Sequence, residues 1–280
     1  AGVTTVAVSP EGAWQACGDK RGDVWLCGQD AKPVRLLKLG RAIDSLGFSP
    51  DGKWLFVSAE NQPFRLHCLA SSQTLELKDG HYPVTGLSFS PDSQRMAVSC
   101  WNGVTHLYQL PPSVDQQMQP ARLFRHKWLT YNSVFSPDSQ LLVTFALDGT
   151  ARVYECESGR PASPYLEHSS PVKSVAFRPG SSLENALDLA TGCEDGTLRV
   201  FRIDLKNRPL ALAPGGRGYQ LEYSPDGKSL AVACENLDQQ GWLELWRDGR
   251  RQKVVPLSGP SHYLSWAPKG DRLAVAAERT

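Results

Sequence analysis

The stretch Ile43-Asp44-Ser45-Leu46-Gly47-Phe48-Ser49-Pro50-Asp51-Gly52-Lys53-Trp54-Leu55-Phe56-Val57-Ser58 decides the fold. An apolar alternation runs into Ser-Pro-Asp-Gly, and a second apolar run leaves it. Proline pre-sets φ at the second turn position, and Asp with Gly or Ser completes a tight hairpin between two strands. The phrase recurs throughout the chain. Its copies are Ser9-Pro10-Glu11-Gly12, Ser49-Pro50-Asp51-Gly52, Ser90-Pro91-Asp92-Ser93, Ser136-Pro137-Asp138-Ser139, Arg178-Pro179-Gly180-Ser181, Ser224-Pro225-Asp226-Gly227 and Ala267-Pro268-Lys269-Gly270. Successive copies are 40, 41, 46, 42, 46 and 43 residues apart. A period of this size marks stacked supersecondary units, none of which can bury its apolar face alone.

Working outward, each turn follows a first strand such as Ile43/Leu46/Phe48, Val84/Leu87/Phe89 or Val172/Val175/Phe177. It precedes a second strand such as Trp54–Ser58, Arg95–Cys100 or Leu230–Cys234, rich in Val, Leu and aromatics. A second register confirms the unit. A polar turn residue is followed six positions later by an aromatic in Asp19/Trp25, Asn61/His67, Asn102/Tyr108, Asp148/Tyr154, Asp195/Phe201 and Gln240/Trp246. That aromatic is placed mid-way along a third strand. Val34–Leu37, Ala121–Phe124 and Lys253–Leu257 read as weaker fourth strands, and helical periodicity is almost absent.

These features resemble the WD-repeat (WD40) β-propeller family. Gly80-His81 matches its Gly-His element, and His126 and His168 stand at the same offset. Trp246-Arg247-Asp248 comes nearest to its closing Trp-Asp, with Phe201-Arg202-Ile203-Asp204 a looser echo. The resemblance implies an all-β, seven-bladed propeller of four-stranded antiparallel blades over residues 1–280. The blades fall at about 1–40, 41–79, 80–126, 127–167, 168–214, 215–258 and 259–280, the last incomplete. It also implies that turns between first and second strands lie on one face, with strand two–three turns and blade connections on the other. Pro111–Pro120 and Ser181–Asn185 are then insertions on the first face, and Asn236–Gly241 enlarges a loop on the second. In such blades the His reaches a second-strand hydroxyl, the turn Asp and the third-strand aromatic. The sets here would be His126, Thr144, Asp148 and Tyr154, and His168, Thr191, Asp195 and Phe201, the second truncated because Phe201 cannot hydrogen-bond. The Ser-Pro-Asp-Gly style is similar to bacterial members, whose propellers are often fused to signalling ATPases or kinases.

Composition narrows the function classes. Net charge is +1 with no block of like charges, which argues against nucleic acid as a partner. No apolar run is long enough for a membrane helix, and no membrane partner is expected. The chain opens Ala1-Gly2, as expected of an excised piece or a processed form. Seven cysteines with no Cys-x-x-Cys pair read as small packing residues at strand ends, and free thiols in this number fit a cytoplasmic setting. There is no Gly-x-Ser-x-Gly elbow, no phosphate loop and no Gly-x-Gly-x-x-Gly. The carboxylate pairs Glu235/Asp238 and Glu184/Asp188 are read as solvated loop residues without metal-ligand spacing. Catalytic, cofactor and metal sites are expected to be none. A His-Asp arrangement repeated in several units maintains the scaffold, because an active site occurs once.

What remains is surface. Trp101 in a strand two–three turn, Arg125, Lys127 and Trp128 before the fourth unit, and Asn61, Gln62 and Gln239 on further turns form the candidate partner-binding rim. The alternative is that Trp101 and Trp128 fill gaps between blades. Ser133, flanked by Tyr131 and Asn132, is an unusually polar first strand. On the family's pattern it faces a central channel that holds water or a small ligand. The expectation is a non-catalytic platform for a protein or peptide partner, including other domains of a longer polypeptide. Its rivals are a sensor domain of a bacterial signalling ATPase or kinase, and a channel-binding enzyme or small-molecule binder.

Overall fold

The computed structural model describes residues 2–28, 31–77, 82–111, 118, 120–180, 187–203, 210–212, 217–236, 238–247 and 250–277. Every regular element among them is a strand. Backbone proximity divides the chain into two compact units, Ala1–Arg125 and His126–Thr280.

The first unit holds three four-stranded antiparallel sheets. Sheet one is Val3–Val8, Trp14–Asp19, Asp23–Gly28 and Val34–Lys38; sheet two is Ile43–Phe48, Trp54–Ala59, Arg65–Cys68 and Thr74–Glu76. Sheet three is Val84–Phe89, Arg95–Cys100, Val104–Gln109 and Pro120–Arg125. The second unit begins with sheet four, Thr130–Phe135, Leu141–Ala146, Thr150–Glu155 and Leu166–Glu167. Sheet five is Val172–Phe177, Leu187–Cys193, Leu198–Ile203 and Leu210–Leu212; sheet six is Arg217–Tyr223, Ser229–Glu235, Gly241–Arg247 and Arg250–Pro256. Sheet seven consists of Ser261–Trp266 and Leu273–Ala277. Strands pair in sequence order within each sheet, as short hairpin loops dictate.

The recurring tetrapeptide builds the same turn wherever Ser and Asp are both present. In sheet two the Ser49 hydroxyl donates to Asp51 (2.6 Å) and accepts the Trp54 amide (3.0 Å), while Asp51 also accepts the Lys53 amide (3.1 Å). The Ser–Asp bond recurs at Ser90/Asp92 (2.5 Å), Ser136/Asp138 (2.5 Å) and Ser224/Asp226 (2.6 Å). The fourth turn residue is left-handed: Gly52 has φ +68°, and Ser93 and Ser139 accept 58° and 62°. Glycine holds that conformation without strain, whereas a side chain costs about 1 kcal/mol. The fifth copy has no Ser–Asp pair and uses Arg178 instead. Its guanidinium donates to Asp188 (3.1 Å) and to the Gly227 carbonyl of the next sheet (2.8 Å).

Second strands form the middle of the core. Trp54–Ala59 and Leu141–Ala146 are buried at every residue. Sheets one and two share a cluster of Ala16, Val24, Ile43, Leu46, Leu55, Val57 and Ala59. A Cβ on Gly18 would lie 2.5 Å from Ile43 Cγ2, so glycine there lets the two sheets approach. Phe56, Phe64 and Leu66 meet Met96, Val98 and Tyr108 between sheets two and three. The second unit repeats the scheme, with Val143 and Phe145 against Val172 and Leu189, then Leu221 with Val232 and Trp246. Burying each such large side chain contributes about 1.5–3 kcal/mol, so sheet-on-sheet contact dominates stability.

Two readings of the sequence change here. Asp188 is not a solvated loop residue. It lies in the second strand of sheet five, is 8% exposed, and is bridged by Arg178 and Arg202 (3.1 and 3.0 Å). Two guanidinium groups compensate its burial. Glu235, likewise, ends a strand of sheet six, whereas Asp238 is exposed in the turn. Glu184, His81, Asp204, Asp248, Ser181–Asn185 and most of Pro111–Pro120 lie outside the described residues.

Candidate interaction surface

All six third-strand aromatics fall on third strands, and five of them are buried: His67, Tyr108, Tyr154, Phe201 and Trp246. Their neighbouring polar sets keep the sheets in register. In sheet four, His126 Nε2 meets Thr144 Oγ1 at 2.8 Å and Nδ1 meets Thr150 Oγ1 at 2.9 Å. Thr150 then donates to Asp148 (2.6 Å), which also accepts the Lys127 amide (2.9 Å). The expected closing member Tyr154 lies instead under the Arg152 guanidinium, 5.6 Å from its ring centre. Thr150 is nearer because it adjoins the turn carrying Asp148. In sheet five, His168 Nε2 meets Thr191 (2.7 Å), and the imidazole contacts the Phe201 ring edge at 5.6 Å. Asp195 accepts from Thr197 (2.7 Å) and Ser169 (3.0 Å).

Burial pushes the His126 pKa down against the pull of Asp148, and burial with Arg199 nearby pushes His168 down to about 4. Both are therefore neutral hydrogen-bonding groups at pH 7. Burial also pushes the thiols of Cys100 and Cys193 up, to about 12 and about 11, which removes their nucleophilicity. Among the described residues no three His, Cys, Asp or Glu side chains gather as a metal site.

The same end of each sheet, away from the Ser-Pro turn, also carries residues that vary. In all seven sheets the register of the first strand slips by one residue, always five positions before the turn Ser or its counterpart. The extra residues are Thr4, Asp44, Thr85, Tyr131, Lys173, Tyr219 and His262. A bulge breaks the regular ladder and re-aims its residue's side chain, so sheets one to five each present one group at this position. Next to the bulge, the residue after the second strand donates its amide to the segment preceding the first strand. Glu60 donates to Ala42, Trp101 to Pro83 (3.1 Å) and Glu194 to Pro171 (2.9 Å). Three sheets thus pair a bulge residue with a turn residue: Asp44 with Glu60, Thr85 with Trp101, Lys173 with Glu194. No residue-type signal reveals the bulge; only its constant distance from the turn does.

The sequence-derived rim residues fall as follows. In the first unit Trp101 is 63% exposed, and its amide bond to Pro83 sets it near Tyr82, an exposed aromatic that the sequence reading missed. Arg125 is exposed at the end of sheet three, opposite Val104. Asn61 and Gln62 belong to the strand two–three turn of sheet two, where Asn61 takes φ 55°. In the second unit Trp128 is 68% exposed and Lys127 is exposed beside it. Gln239 is exposed in the turn of sheet six at φ 59°. Trp101 and Trp128 therefore do not fill gaps in the packing. Ser133 is buried, while Tyr131 beside it is 39% exposed.

The WD domain, G-beta repeat family matches residues 70–109, 119–155 and 159–202. These three stretches, under half of the chain, match WD40 repeats. It is 30% identical over 177 residues to the WD40 repeat protein poxJ of Penicillium oxalicum, covering 62% of this chain and 46% of that protein. It is 25% identical over 265 residues to Telomerase protein component 1 of Mus musculus, covering 81% and 9%, and 28% identical over 158 residues to Coronin-7 of Bos taurus, covering 54% and 17%. The chain thus spans less than half the length of these relatives. All three are eukaryotic and lend no support to a bacterial type. A chain in the crystal structure of the mitotic checkpoint complex superposes with a TM-score of 0.74, covering 98% of this chain and 84% of that one at 18% identity. The fold class is all-β: a β-propeller fold with about seven blades of antiparallel strands. WD40 repeats generally act as protein-interaction scaffolds.

Proposed function

We propose that this chain is a non-catalytic platform that binds a protein or peptide partner through the variable ends of its sheets. The observation carrying this is the exposure of Trp101 and Trp128, at 63% and 68%, on residues that no sheet needs for packing. Large rigid aromatics bury area on binding with little rotamer entropy lost, which makes them the usual anchors of interfaces. Arg125 and Tyr82 stand with the first unit's tryptophan, and Lys127 stands with the second's. Each set is treated as an anchor in its own unit. The partners include other domains of a longer polypeptide, since the chain spans only part of its relatives. Nucleic acid fits poorly, given the net charge of +1.

The test is partner capture by immobilised chain, comparing wild type with Trp101→Ala and Trp128→Ala. Each variant is expected to lose its captured partner about tenfold or more, while stability changes by no more than about 0.5 kcal/mol. Capture that survives both substitutions, or unfolding caused by either, sinks the reading.

A further inference from the structure

The bulge residues of the second unit build a second site with chemistry of its own. Tyr131, aimed outward by the register slip in sheet four, is held between two neighbours. The ring of Phe145 lies 6.3 Å away on one side, and the Lys173 ammonium sits 5.0 Å from the ring centre. Lys173 is the bulge residue of sheet five, so two successive slips bring phenol and ammonium together. The Lys173 side chain is only 18% exposed, and it forms an ion pair with Glu194 Oε2 at 3.5 Å. Glu194 is 46% exposed. Burial, with Tyr263 and Glu194 nearby, raises the Tyr131 pKa, so its hydroxyl stays a neutral donor.

The electrostatics are lopsided. The cation is fixed, largely withdrawn from water and braced by an aromatic face. Its counter-ion is half in solvent, at a distance longer than a charge-assisted hydrogen bond. Displacing Glu194 into water costs little, because an exposed ion pair is worth about 0–1 kcal/mol. Displacing Lys173 would mean dismantling the stack. A cationic ligand therefore has no place here, and an anionic one does.

We propose that Lys173 and Tyr131 form a carboxylate-binding site for an acidic peptide segment, with Glu194 as the built-in occupant that such a segment displaces. The ammonium supplies the charge-assisted bond. The Tyr131 hydroxyl supplies a neutral donor for the carboxylate's second oxygen. The site shares no residue with the tryptophan anchors and stands or falls by itself.

The test uses the full 280-residue chain and fluorescein-labelled hexaglutamate, with hexaglutamine as the uncharged match, followed by fluorescence anisotropy. Hexaglutamate is expected to bind at least about tenfold more tightly than hexaglutamine, and Lys173→Gln is expected to remove that difference. Tyr131→Phe, which keeps the ring under the ammonium and removes only the hydroxyl, should weaken binding about threefold. Glu194→Gln carries the decisive sign. Removing the internal competitor should tighten hexaglutamate binding several-fold, the opposite of what a merely structural glutamate would do. Unchanged or weaker binding in Glu194→Gln overturns the proposal, as does full hexaglutamate affinity in Lys173→Gln. Displacement of the peptide by inorganic phosphate at about equal concentration would overturn the assignment to carboxylate. If Trp128→Ala loses partner capture while Lys173→Gln leaves hexaglutamate binding intact, this site alone is refuted.

Discussion

The two ends of sheet four obey different rules. At one end, Ser136-Pro137-Asp138-Ser139 repeats a hydrogen-bond pattern seen in three other sheets, with Ser136 fully buried. At the other, Trp128 and Tyr131 are exposed and have no counterparts of the same type in neighbouring sheets. Both ends are fixed by the same strands. The repeated end has polar groups that water cannot reach, so each must find a partner, and the sequence is held to one solution. The other end is open to solvent, and the bulge there fixes only the direction of a side chain. Its chemistry is free to differ from sheet to sheet.

The largest expected effect breaks any simple equation of unrepeated with functional. Glu244 is fully buried yet occurs once, accepting from Trp242 (3.1 Å), Trp246 (3.0 Å) and Arg251 (2.9 Å). Glu244→Ala strips three donors of their acceptor and should cost about 3 kcal/mol in urea unfolding. A change below about 1 kcal/mol would mean that Arg251 and water replace the carboxylate easily.

Next comes pH. His168 has a folded pKa near 4 against an ordinary 6.5, so the unfolded chain takes up the proton first. The stability it contributes is complete above about pH 6.5 and is lost as pH falls towards 4, amounting to about 2–3 kcal/mol. His126 shifts in the same direction. The urea midpoint measured from pH 7 to 4 should fall, and His168→Gln should flatten that fall. An equally steep fall in the variant assigns it to other groups.

Ser136→Ala sharpens the comparison directly. The lost hydroxyl leaves the buried Leu141 amide unpaired, at a cost of about 1–2 kcal/mol, with binding by the opposite end unaffected. Weakened binding at unchanged stability would reverse the roles of the two ends. The smallest effect concerns Asp44, whose pKa is raised by burial and by Glu60. Asp44→Asn removes a like-charge contact on an exposed bulge and should raise stability by a few tenths of a kcal/mol, more at low salt. A loss of stability would show that the carboxylate is held by a favourable partner.

Much of the framework was legible because repetition amplifies weak signals. Ser-Pro-Asp turns, Asn/Asp-Gly hairpins and the aromatic six positions later each carry modest information, but their shared phase fixed strand positions within a residue or two. Arg95–Cys100 was read to the residue, whereas the last fourth strand begins at Arg250, three positions before its apolar run. Charged residues can edge a sheet without leaving an apolar trace there. The exposed tryptophans were legible as candidates, since packing did not call for them. Tyr82, Glu244 and the bulge series were not legible as sites.

The sequence by itself determined the period, the all-β hairpin units and the turns, because these depend on local φ preferences and on contacts within a few residues. Tertiary structure alone decided the rest. It made Asp188 a buried, doubly paired anion, gave His126 to Thr150, and set Lys173 of one sheet over Tyr131 of another. Each of these results depends on burial or on groups many residues apart. A charge at a given position carries no mark of whether water or a neighbouring strand will surround it.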